Sequence, residues 1–237
     1  ILPGNVASAT AATTFSAANS CRFNRGDGPY LSKTQVTGST DADKKFTFSA
    51  WVKRAKAGVI QQLFSSGTGG SDGVDLFFDN NDNLYFESYN GSDNPKIITD
   101  RELRDLGAWY HIVYAVDTTQ ATAANRVKMY VNGVQETDFS TASYPAEDSS
   151  VPGIGVASDV MKVGTGTVTG ATNYWDGYMA EVVFCDGQVL TPTSFGEFDE
   201  DSPTIWKPID VSGLTFGNNG FYLDFEASDN LGNDANG

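Results

Sequence analysis

The chain has 237 residues, of which 40% are hydrophobic, and this is enough apolar material for one large β domain or two small ones. With 30 Asp and Glu residues against 15 Lys and Arg, the formal net charge of -15 repels nucleic-acid phosphates and anionic lipid surfaces. No apolar stretch reaches the roughly 20 residues of a membrane helix, and the start lacks the basic and apolar regions of a signal peptide, so we expect neither nucleic acid nor membrane as a partner.

The first strands follow a start that is rich in Ala, Ser and Thr. Residues 1–19 show little periodicity and are predicted to be an arm or linker. From residue 20 the chain changes to short apolar–polar alternations separated by Gly, Asn and Asp, which is typical of strands joined by turns. In "KFTFSAWVKR", Phe46 and Phe48 share one face and Trp51 lies on the other.

The middle of the chain continues this pattern. "WYHIVYAV" is apolar on both faces, as expected for a strand in the centre of a sandwich, and we assign Trp51 and Trp109 to the core. "RVKMYV" leads into Asn132-Gly133, a pair that readily adopts the positive φ values of a two-residue hairpin turn. The other runs place apolar residues on a common face: Val74, Leu76 and Phe78; Leu84 and Phe86; Val127, Met129 and Val131.

The last predicted core strand is "GYMAEVVFCDG". Strict alternation sets two groups on opposite faces: Tyr178, Ala180, Val182 and Phe184 against Met179 and Val183. After it, "LTPTSFGEF" is the one candidate helix, because Thr191 is a suitable cap and Pro192 fits the first turn. The predicted class is all-β: a two-sheet antiparallel β-sandwich (jelly roll) over residues 20–198 with at most one short helix, then a C-terminal extension over 199–237.

Four segments in order resemble the laminin-G-like branch of the concanavalin A-like lectin and glucanase superfamily. They are "FTFSAWVKR", "LGAWYHIVYAVD", "NRVKMYVNGVQ" and "WDGYMAEVVFCDGQVLTP", and together they cover about Cys21 to Phe198. The tail "FGEFDEDSPTIWKPIDVSGLTFGNNGFYLDFEASDNLG" resembles the extension that follows such domains in structural proteins of bacteriophages, particularly marine ones. The resemblance implies a concanavalin A-like jelly roll and a place on a virion.

Glucanases share this fold, so hydrolysis of polysaccharides is one possible function. Retaining members carry Glu-x-Asp-x-(x)-Glu on one strand, which aims two carboxylates at the glycosidic bond. The nearest string here, Glu197 to Asp201, lacks the final Glu in place and lies after the predicted helix, so we interpret it as a solvated turn. His111 is the single histidine, and its apolar flanks favour a structural role. We predict no catalytic residues and no enzyme activity.

Calcium is the one cofactor that the sequence suggests. The segment "GGSDGVDLFFDNNDNL" concentrates oxygen ligands in one hairpin, and Ca²⁺ prefers such ligands. We name Asp79, Asn81 and Asp82 as candidate metal ligands. The alternative is that Asn-Asn-Asp-Asn is simply a good turn.

Sugar binding needs aromatic faces beside polar groups. Two segments offer this combination, "ESYNGSDN" and "TNYWDG", and from them we predict the ligand-binding residues Tyr89, Asn90, Tyr174, Trp175 and Asp176, with Glu87 and Asp93 nearby. The alternative for each aromatic residue is packing at a strand end.

The sequence also contains two cysteines and an Arg-Gly-Asp tripeptide. Cys21 and Cys185 are favoured as free, partly buried thiols, although a bridge between neighbouring terminal strands is conceivable. Arg25 to Asp27 form the integrin-binding tripeptide Arg-Gly-Asp, which falls in a Gly-rich turn and occurs by chance in many proteins.

The functional hypothesis is a non-enzymatic virion protein. Its sandwich is displayed on a phage tail, fibre or capsid surface, binds host-surface glycans, and contacts other virion subunits as a homo-oligomer. The alternatives are a secreted bacterial polysaccharide-binding module or glucanase, and a purely architectural subunit. The expected location is the virion, with secretion as the alternative.

Overall fold

A computed structural model describes residues 15–68, 72–92, 94–167 and 172–236. The regular elements of these residues are strands and single 3-10 turns, and none of their helices is long and apolar enough to cross a membrane. The 3-10 turns are Arg25–Asp27, Ala123–Asn125 and Pro192–Ser194. The strands are β1 (Cys21–Phe23), β2 (Leu31–Thr34), β3 (Lys45–Arg54), β4 (Gln61–Gly67), β5 (Gly73–Phe78), β6 (Asn83–Tyr89), β7 (Lys96–Glu102), β8 (Tyr110–Asp117), β9 (Val127–Val131), β10 (Val134–Gln135), β11 (Phe139–Ser143), β12 (Val160–Val163), β13 (Gly177–Asp186), β14 (Gly196–Phe198), β15 (Trp206–Pro208) and β16 (Phe221–Leu223).

Two large antiparallel sheets form a sandwich, which confirms the predicted fold class. In the first sheet the order is β1-β13-β3-β8-β9-β10, and β16 pairs with β13 beside β1. In the second sheet the order is β11-β7-β6-β5-β4-β12-β2. A small sheet of β14 and β15 is separate from both. Sequential hairpins account for most neighbours, whereas β12 and β13 return from far along the chain.

The main core lies between the two sheets and is rich in phenylalanine. Phe48 of the first sheet contacts Phe64 of the second with ring centroids 5.2 Å apart, and Phe64 stacks on Phe184 of the first sheet at 5.1 Å. All three side chains are fully buried. Each such ring contributes roughly 2 to 3 kcal/mol of burial free energy, so these contacts hold the layers together. The predicted inward faces of β3, β5, β6 and β9 are confirmed.

The hairpin at Asn132-Gly133 is also confirmed. Asn132 has φ 50° and Gly133 has φ 79°, and Val131 pairs with Val134 across the two-residue turn. Glycine is required here for a second reason, because a Cβ on Gly133 would lie 2.6 Å from the ring of Trp206. The turn therefore also packs against Trp206 of the C-terminal segment.

The alternation predicted for β13 is wrong beyond Ala180. The pairing of β13 with β3 shifts between Ala180 and Val183, and Glu181 in the bulge has φ 48°. A β-bulge inserts one extra residue and so exchanges the two faces. As a result Met179, Val182 and Phe184 face the main core, while Tyr178, Ala180 and Val183 lie on the outer face of the first sheet.

The C-terminal segment is built into the sandwich rather than appended to it. Val113, Val183 and Cys185, on the outer face of the first sheet, form a second apolar cluster with Phe195 and with three residues from the segment, namely Val211, Phe216 and Tyr222. β16 joins the first sheet, and its Phe221 and Leu223 belong to the main core. The boundary predicted at residue 198 therefore does not separate two structural units in the described residues.

The predicted helix after β13 is a single 3-10 turn. Pro192 occupies its first turn as expected, but Thr191 makes no capping bond, since its hydroxyl contacts the hydroxyl of Thr193 at 2.8 Å. Gly196 then begins β14, which ends the turn.

Arg54 joins the two sheets at one end of the sandwich. Its guanidinium is fully buried and donates to Asp82 Oδ1 at 2.7 Å, to the Leu103 carbonyl at 2.7 Å and to Gln61 Oε1 at 3.1 Å. It also lies 4.4 Å from the ring centroid of Phe78. The charge is thus paired and hydrogen-bonded, as a buried guanidinium requires.

Both cysteines are buried and free, as the sequence favoured. Cys21 pairs with Met179 and packs in the main core, whereas Cys185 pairs with Thr47 and packs in the outer cluster. They lie on opposite faces of the first sheet, so no bridge joins them.

Candidate functional site

A groove of about 380 Å³ opens at the end of the sandwich where β6 and β11 end and β7 and β9 begin. We call it the rim groove. Its polar lining includes Asn90, Asn94, Arg126, Ser143, Tyr144 and Ser150. These residues come from three separate loops, which the sandwich brings to one rim.

Arg126 holds the wall of the rim groove in place. Its guanidinium donates to three backbone carbonyls: Gln120 at 2.8 Å, Ala121 at 3.0 Å and Pro145 at 3.0 Å. It also pairs with Glu147 at 3.5 Å. The loop after β11 is fixed further by Ser150, whose hydroxyl donates to the Asp43 carboxylate. The groove is therefore preformed.

One polar group in the rim groove is buried without a hydrogen-bond partner among the described residues. The amide oxygen of Asn94 is buried and unpaired. The Tyr144 ring packs on the main core, and burial raises the pKa of its hydroxyl, so this group stays protonated at neutral pH. An unpaired buried polar atom costs about 1 to 3 kcal/mol, and a ligand that pairs with it recovers that cost.

The chemistry of the rim groove suits binding rather than hydrolysis. An aromatic ring, side-chain amides and hydroxyls are the groups that contact sugar rings and their hydroxyls. No Asp, Glu or His is among the described residues that line it, so the lining offers no pair of carboxylates for acid and base.

A profile of the Laminin_G_3 family, described as the concanavalin A-like lectin/glucanases superfamily, matches residues 25–194. The chain belongs to this superfamily. Its match covers all the strands from β2 to β13, so it includes every loop that forms the rim groove. None of the curated proteins compared with the chain is significantly similar to it.

Solved structures share the fold of this lectin-like domain. Mouse laminin alpha1 chain domains LG4-5 superimpose with a TM-score of 0.51 and 15% identity, over 83% of this chain and 47% of that one. The IT-sialidase CBM40 of Ruminococcus gnavus, solved bound to alpha2,3 sialyllactose, has a TM-score of 0.48 and 17% identity over 76% of this chain and 96% of that one. The SAP-like pentraxin of Limulus polyphemus scores 0.47 at 18% identity, over 75% and 76%. Likeness at such identities indicates the fold alone.

Of the first predicted sugar-binding segment, the lectin-like domain places Asn90 in the rim groove. Its side-chain oxygen accepts from the backbone N–H and the hydroxyl of Ser92, both at 3.1 Å. Tyr89 is half-buried, and its hydroxyl donates to the Gly91 carbonyl at 3.1 Å. Glu87 pairs with Lys96 at 3.1 Å, and Asp93 lies outside the described residues.

The second predicted segment lies at the opposite end of the sandwich. Gly177, next to Asp176, pairs with Arg54, which binds Asp82 just before β6. Tyr89 ends β6 seven residues after Asp82, about 23 Å away along the strand. Asp176 forms an ion pair with Arg22 at 2.9 Å.

The prediction that Trp175 binds sugar is wrong. It is fully buried in the main core beside Phe78, so it has no surface on which a sugar can stack. Tyr174 is half-buried, and its ring packs against the turn at Gly28. Its neighbours therefore favour the alternative, packing at a strand end.

Two of the candidate calcium ligands, Asp79 and Asp82, have hydrogen-bond partners within the protein. Asp82 is buried, and its carboxylate accepts from Arg54 at 2.7 Å, Arg104 at 3.3 Å and the Gly58 N–H at 2.8 Å. Although burial opposes it, these donors hold the pKa of Asp82 below its usual value. Asp79 accepts from the backbone of Asn81 and Asn83, which is a turn motif.

In the described residues no group of three or more His, Cys, Asp or Glu side chains is placed to hold a metal ion. Calcium binding at Asp79 and Asn81 stays a prediction, whereas Asp82 is already neutralised by two arginines.

His111 is a structural residue of the first sheet. The indole N–H of Trp206 donates to Nδ1 at 2.9 Å, so the imidazole proton lies on Nε2, which contacts Ser49 Oγ at 2.8 Å. Burial lowers the pKa of His111 to about 3. A base for serine would need Nε2 free to accept a proton, so this pair does not form a catalytic dyad.

The remaining candidates are surface features. Glu197 lies in β14 rather than in the predicted turn, and its carboxylate and that of Asp199 share the Lys207 ammonium at 3.3 Å and 3.2 Å. Arg25 donates to the Ile60 and Tyr174 carbonyls at 2.6 Å and 3.0 Å, so its guanidinium anchors the turn instead of extending from it.

Sequence reasoning missed Asn94, Arg126 and Tyr144 as site residues. Each lies in an irregular loop, and no local motif joins loops that are about 20 to 50 positions apart in the chain. The Tyr-Pro pair at 144–145 beside a Ser-rich loop was the one signal that the sequence offered.

Proposed function

We propose that the protein is a non-enzymatic glycan-binding module and that its rim groove binds host-surface glycans. The observation that carries this proposal is the preformed groove in which Tyr144 and the unpaired Asn94 oxygen face a polar, carboxylate-free lining. Membership of a superfamily that includes lectins supports it. Display of many copies would strengthen weak sugar contacts by raising the effective concentration.

A glycan array followed by isothermal titration calorimetry tests the proposal. We expect Tyr144→Ala and Asn94→Ala to weaken binding of the best glycan about fivefold each, because each removes one contact worth about 1 kcal/mol. Tyr30→Ala is the matched control, since Tyr30 is 50% exposed and does not line the rim groove. Arrays run with calcium and with a chelator also test the calcium prediction.

A blank array under both conditions would rule out the glycan-binding proposal. Equal binding by the wild type and both groove variants would instead place the glycan elsewhere on the protein. Incubation with laminarin, agar and carrageenan checks the enzymatic alternative, and new reducing ends that disappear in Glu197→Gln or Asp199→Asn would overturn the non-enzymatic assignment.

We further propose that the module is displayed on a phage tail, fibre or capsid surface as a homo-oligomer. The resemblance of the tail sequence to extensions in phage structural proteins supports this, and the net charge of -15 suits an exposed soluble surface. Antibody labelling of purified particles in electron microscopy tests display, and unlabelled particles would contradict it. Mass measurement in solution tests the oligomer, and a strict monomer would count against it.

A further inference from the structure

A second groove lies on the outer face of the first sheet, away from the rim groove. It has a volume of about 460 Å³ and is lined by residues 15–20, Trp51, Trp109, Ala180, Lys207 and Pro208. Trp51 and Ala180 are paired on neighbouring strands and form its floor. We call it the tryptophan groove. Its size is within the usual range of small-molecule sites.

Trp109 was predicted to be a core residue, and the structure corrects this. Its side chain is 37% exposed, whereas Trp51 is 9% exposed. An exposed indole loses hydrophobic stabilisation and gives a planar apolar face to solvent. Within a concave wall such a face fits the C–H face of a pyranose ring.

The floor of the tryptophan groove is rigid. Trp51 stacks on His111 with ring centroids 4.9 Å apart, and His111 is fixed by the hydrogen bonds of Trp206 and Ser49. The buried indole Nε1 of Trp51 has no hydrogen-bond partner among the described residues. A rigid aromatic floor reduces the conformational entropy that the protein loses when a ligand binds.

The charges around the tryptophan groove favour an uncharged ligand. Lys207 is its one charged lining residue among those described, and Glu197 and Asp199 already neutralise it. The protein as a whole is strongly acidic, which repels anions. On the opposite wall Ser16, Asn19 and Ser20 supply hydroxyl and amide groups rather than ionised ones.

We propose that the tryptophan groove is a second carbohydrate site, which binds a neutral hexopyranose oligosaccharide through stacking of one ring on Trp109. The site does not depend on the rim groove, and either one functions without the other. Two sites on different faces let one molecule bridge two glycan chains.

Calorimetry with cellohexaose and laminarihexaose as neutral probes, and a galacturonate hexamer as the anionic probe, tests this proposal. We expect at least one neutral probe to bind, the anionic one not to bind, and Trp109→Ala to weaken the neutral affinity about tenfold. The exposed control Tyr30→Ala should leave this affinity unchanged.

The indole ¹H–¹⁵N signals of the wild type give a second measurement that needs no variant to fold. A neutral probe should shift the Trp109 and Trp51 signals and leave that of fully buried Trp175 in place. The proposal is overturned if neither neutral probe binds, if the anionic probe binds more tightly, if Trp109→Ala binds as the wild type does, or if the Trp109 signal does not move. If the rim groove binds no glycan but a neutral probe shifts the Trp109 signal, the proposal for the rim groove fails and the proposal for the tryptophan groove is supported.

Discussion

Glu181 combines a left-handed backbone conformation with a buried carboxyl group. It lies in the bulge of β13 with φ 48°, is 5% exposed, and accepts a hydrogen bond from the Tyr222 hydroxyl. Burial, reinforced by the nearby carboxylates of Asp224, Glu226 and Asp210, raises the pKa of Glu181 to about 7. The bond from Tyr222 acts in the opposite direction and is outweighed.

This raised pKa predicts that stability falls with rising pH. The folded protein keeps the Glu181 proton up to about pH 7, while the unfolded chain releases it near the ordinary glutamate pKa of 4.5, so unfolding releases a proton between these values. The loss of stability by pH 8 is on the order of 3 kcal/mol. Urea unfolding at pH 4 and pH 8 should show Glu181→Gln more stable than the wild type at pH 8, with the difference shrinking at pH 4.

Because Gln also accepts the Tyr222 hydroxyl bond, this variant isolates the charge. Tyr222→Phe serves as the companion change that removes the bond instead. A constant difference between the wild type and Glu181→Gln at all pH values would show that Glu181 titrates normally.

Gly133 is constrained both by its backbone and by its neighbour. We expect Gly133→Ala to cost about 2 to 4 kcal/mol, because alanine is strained at φ 79° and its Cβ would displace the Trp206 ring. Gly58→Ala is the matched control: Gly58 has φ 71° but nothing within 4 Å of an added Cβ, so it should lose about 1 kcal/mol. Equal losses in thermal unfolding would mean that the Trp206 contact contributes nothing.

At the scale of elements, the Arg54 cluster connects β3 of one sheet to the β5–β6 turn of the other. We expect Arg54→Met to destabilise by about 3 to 5 kcal/mol, because it leaves the buried Asp82 carboxylate without its main partner. Arg104→Met is the control, since Arg104 contacts the same carboxylate but is 59% exposed, and should cost less than about 1 kcal/mol. Urea unfolding at pH 7 measures both.

The lowered pKa of Asp82 adds a pH dependence of the opposite sign to that of Glu181. Its stabilisation is present above the unfolded pKa of about 4 and is lost as the pH falls through the lower folded value. The penalty of Arg54→Met should therefore shrink at pH 2. A penalty of the same size at both pH values would assign the effect to lost packing on Phe78 rather than to charge.

The strands could be predicted because burial on one face imposes a period of two. Phe46 and Phe48, or Val127 and Met129, show their inward face directly in the sequence. The bulge at Glu181 could not be predicted, since an inserted residue is specified by contacts with β3 and Tyr222 rather than by local pattern. The 3-10 turn at Pro192 had the start signals of a helix, but Gly196 and the pairing of β14 leave no room for one.

At the scale of the whole molecule, the described part of the segment after residue 198 completes both cores. We expect a fragment ending at Phe198 to be insoluble or to lack a cooperative thermal transition. It loses β16 with Phe221 and Leu223, and it exposes the outer cluster at Val113 and Cys185. The sandwich over 20–198 is thus an incomplete unit.

Soluble yield and circular dichroism during heating measure the effect of this truncation. Co-expression of residues 199–237 as a separate chain is the rescue control, because strand pairing of β16 with β13 does not require covalent continuity. A fragment that unfolds cooperatively at the wild-type temperature would show that the segment is dispensable.

The fold follows from pattern alone, whereas the sites depend on distant parts of the chain. Asn90 was predicted, but Tyr144 and Arg126 join it only because β6 and β11 end, and β9 begins, at the same rim. Trp109 was predicted to be buried because its neighbours are apolar on both faces. It precedes β8, however, and its side chain is 37% exposed. Alternation with a period of two predicts on which face of the sheet a side chain lies, but it does not predict how much of the protein covers that face.

The four tryptophans differ sharply in their access to solvent, with Trp109 at 37% exposed and the others, Trp51, Trp175 and Trp206, at 9% or less. Small uncharged collisional quenchers should therefore extinguish the emission of one fluorophore more than that of the rest, leaving a blue-shifted residual spectrum. The wild-type chain consequently carries its own optical reporter at the mouth of the tryptophan groove, and occupancy there can be followed without any dye or label.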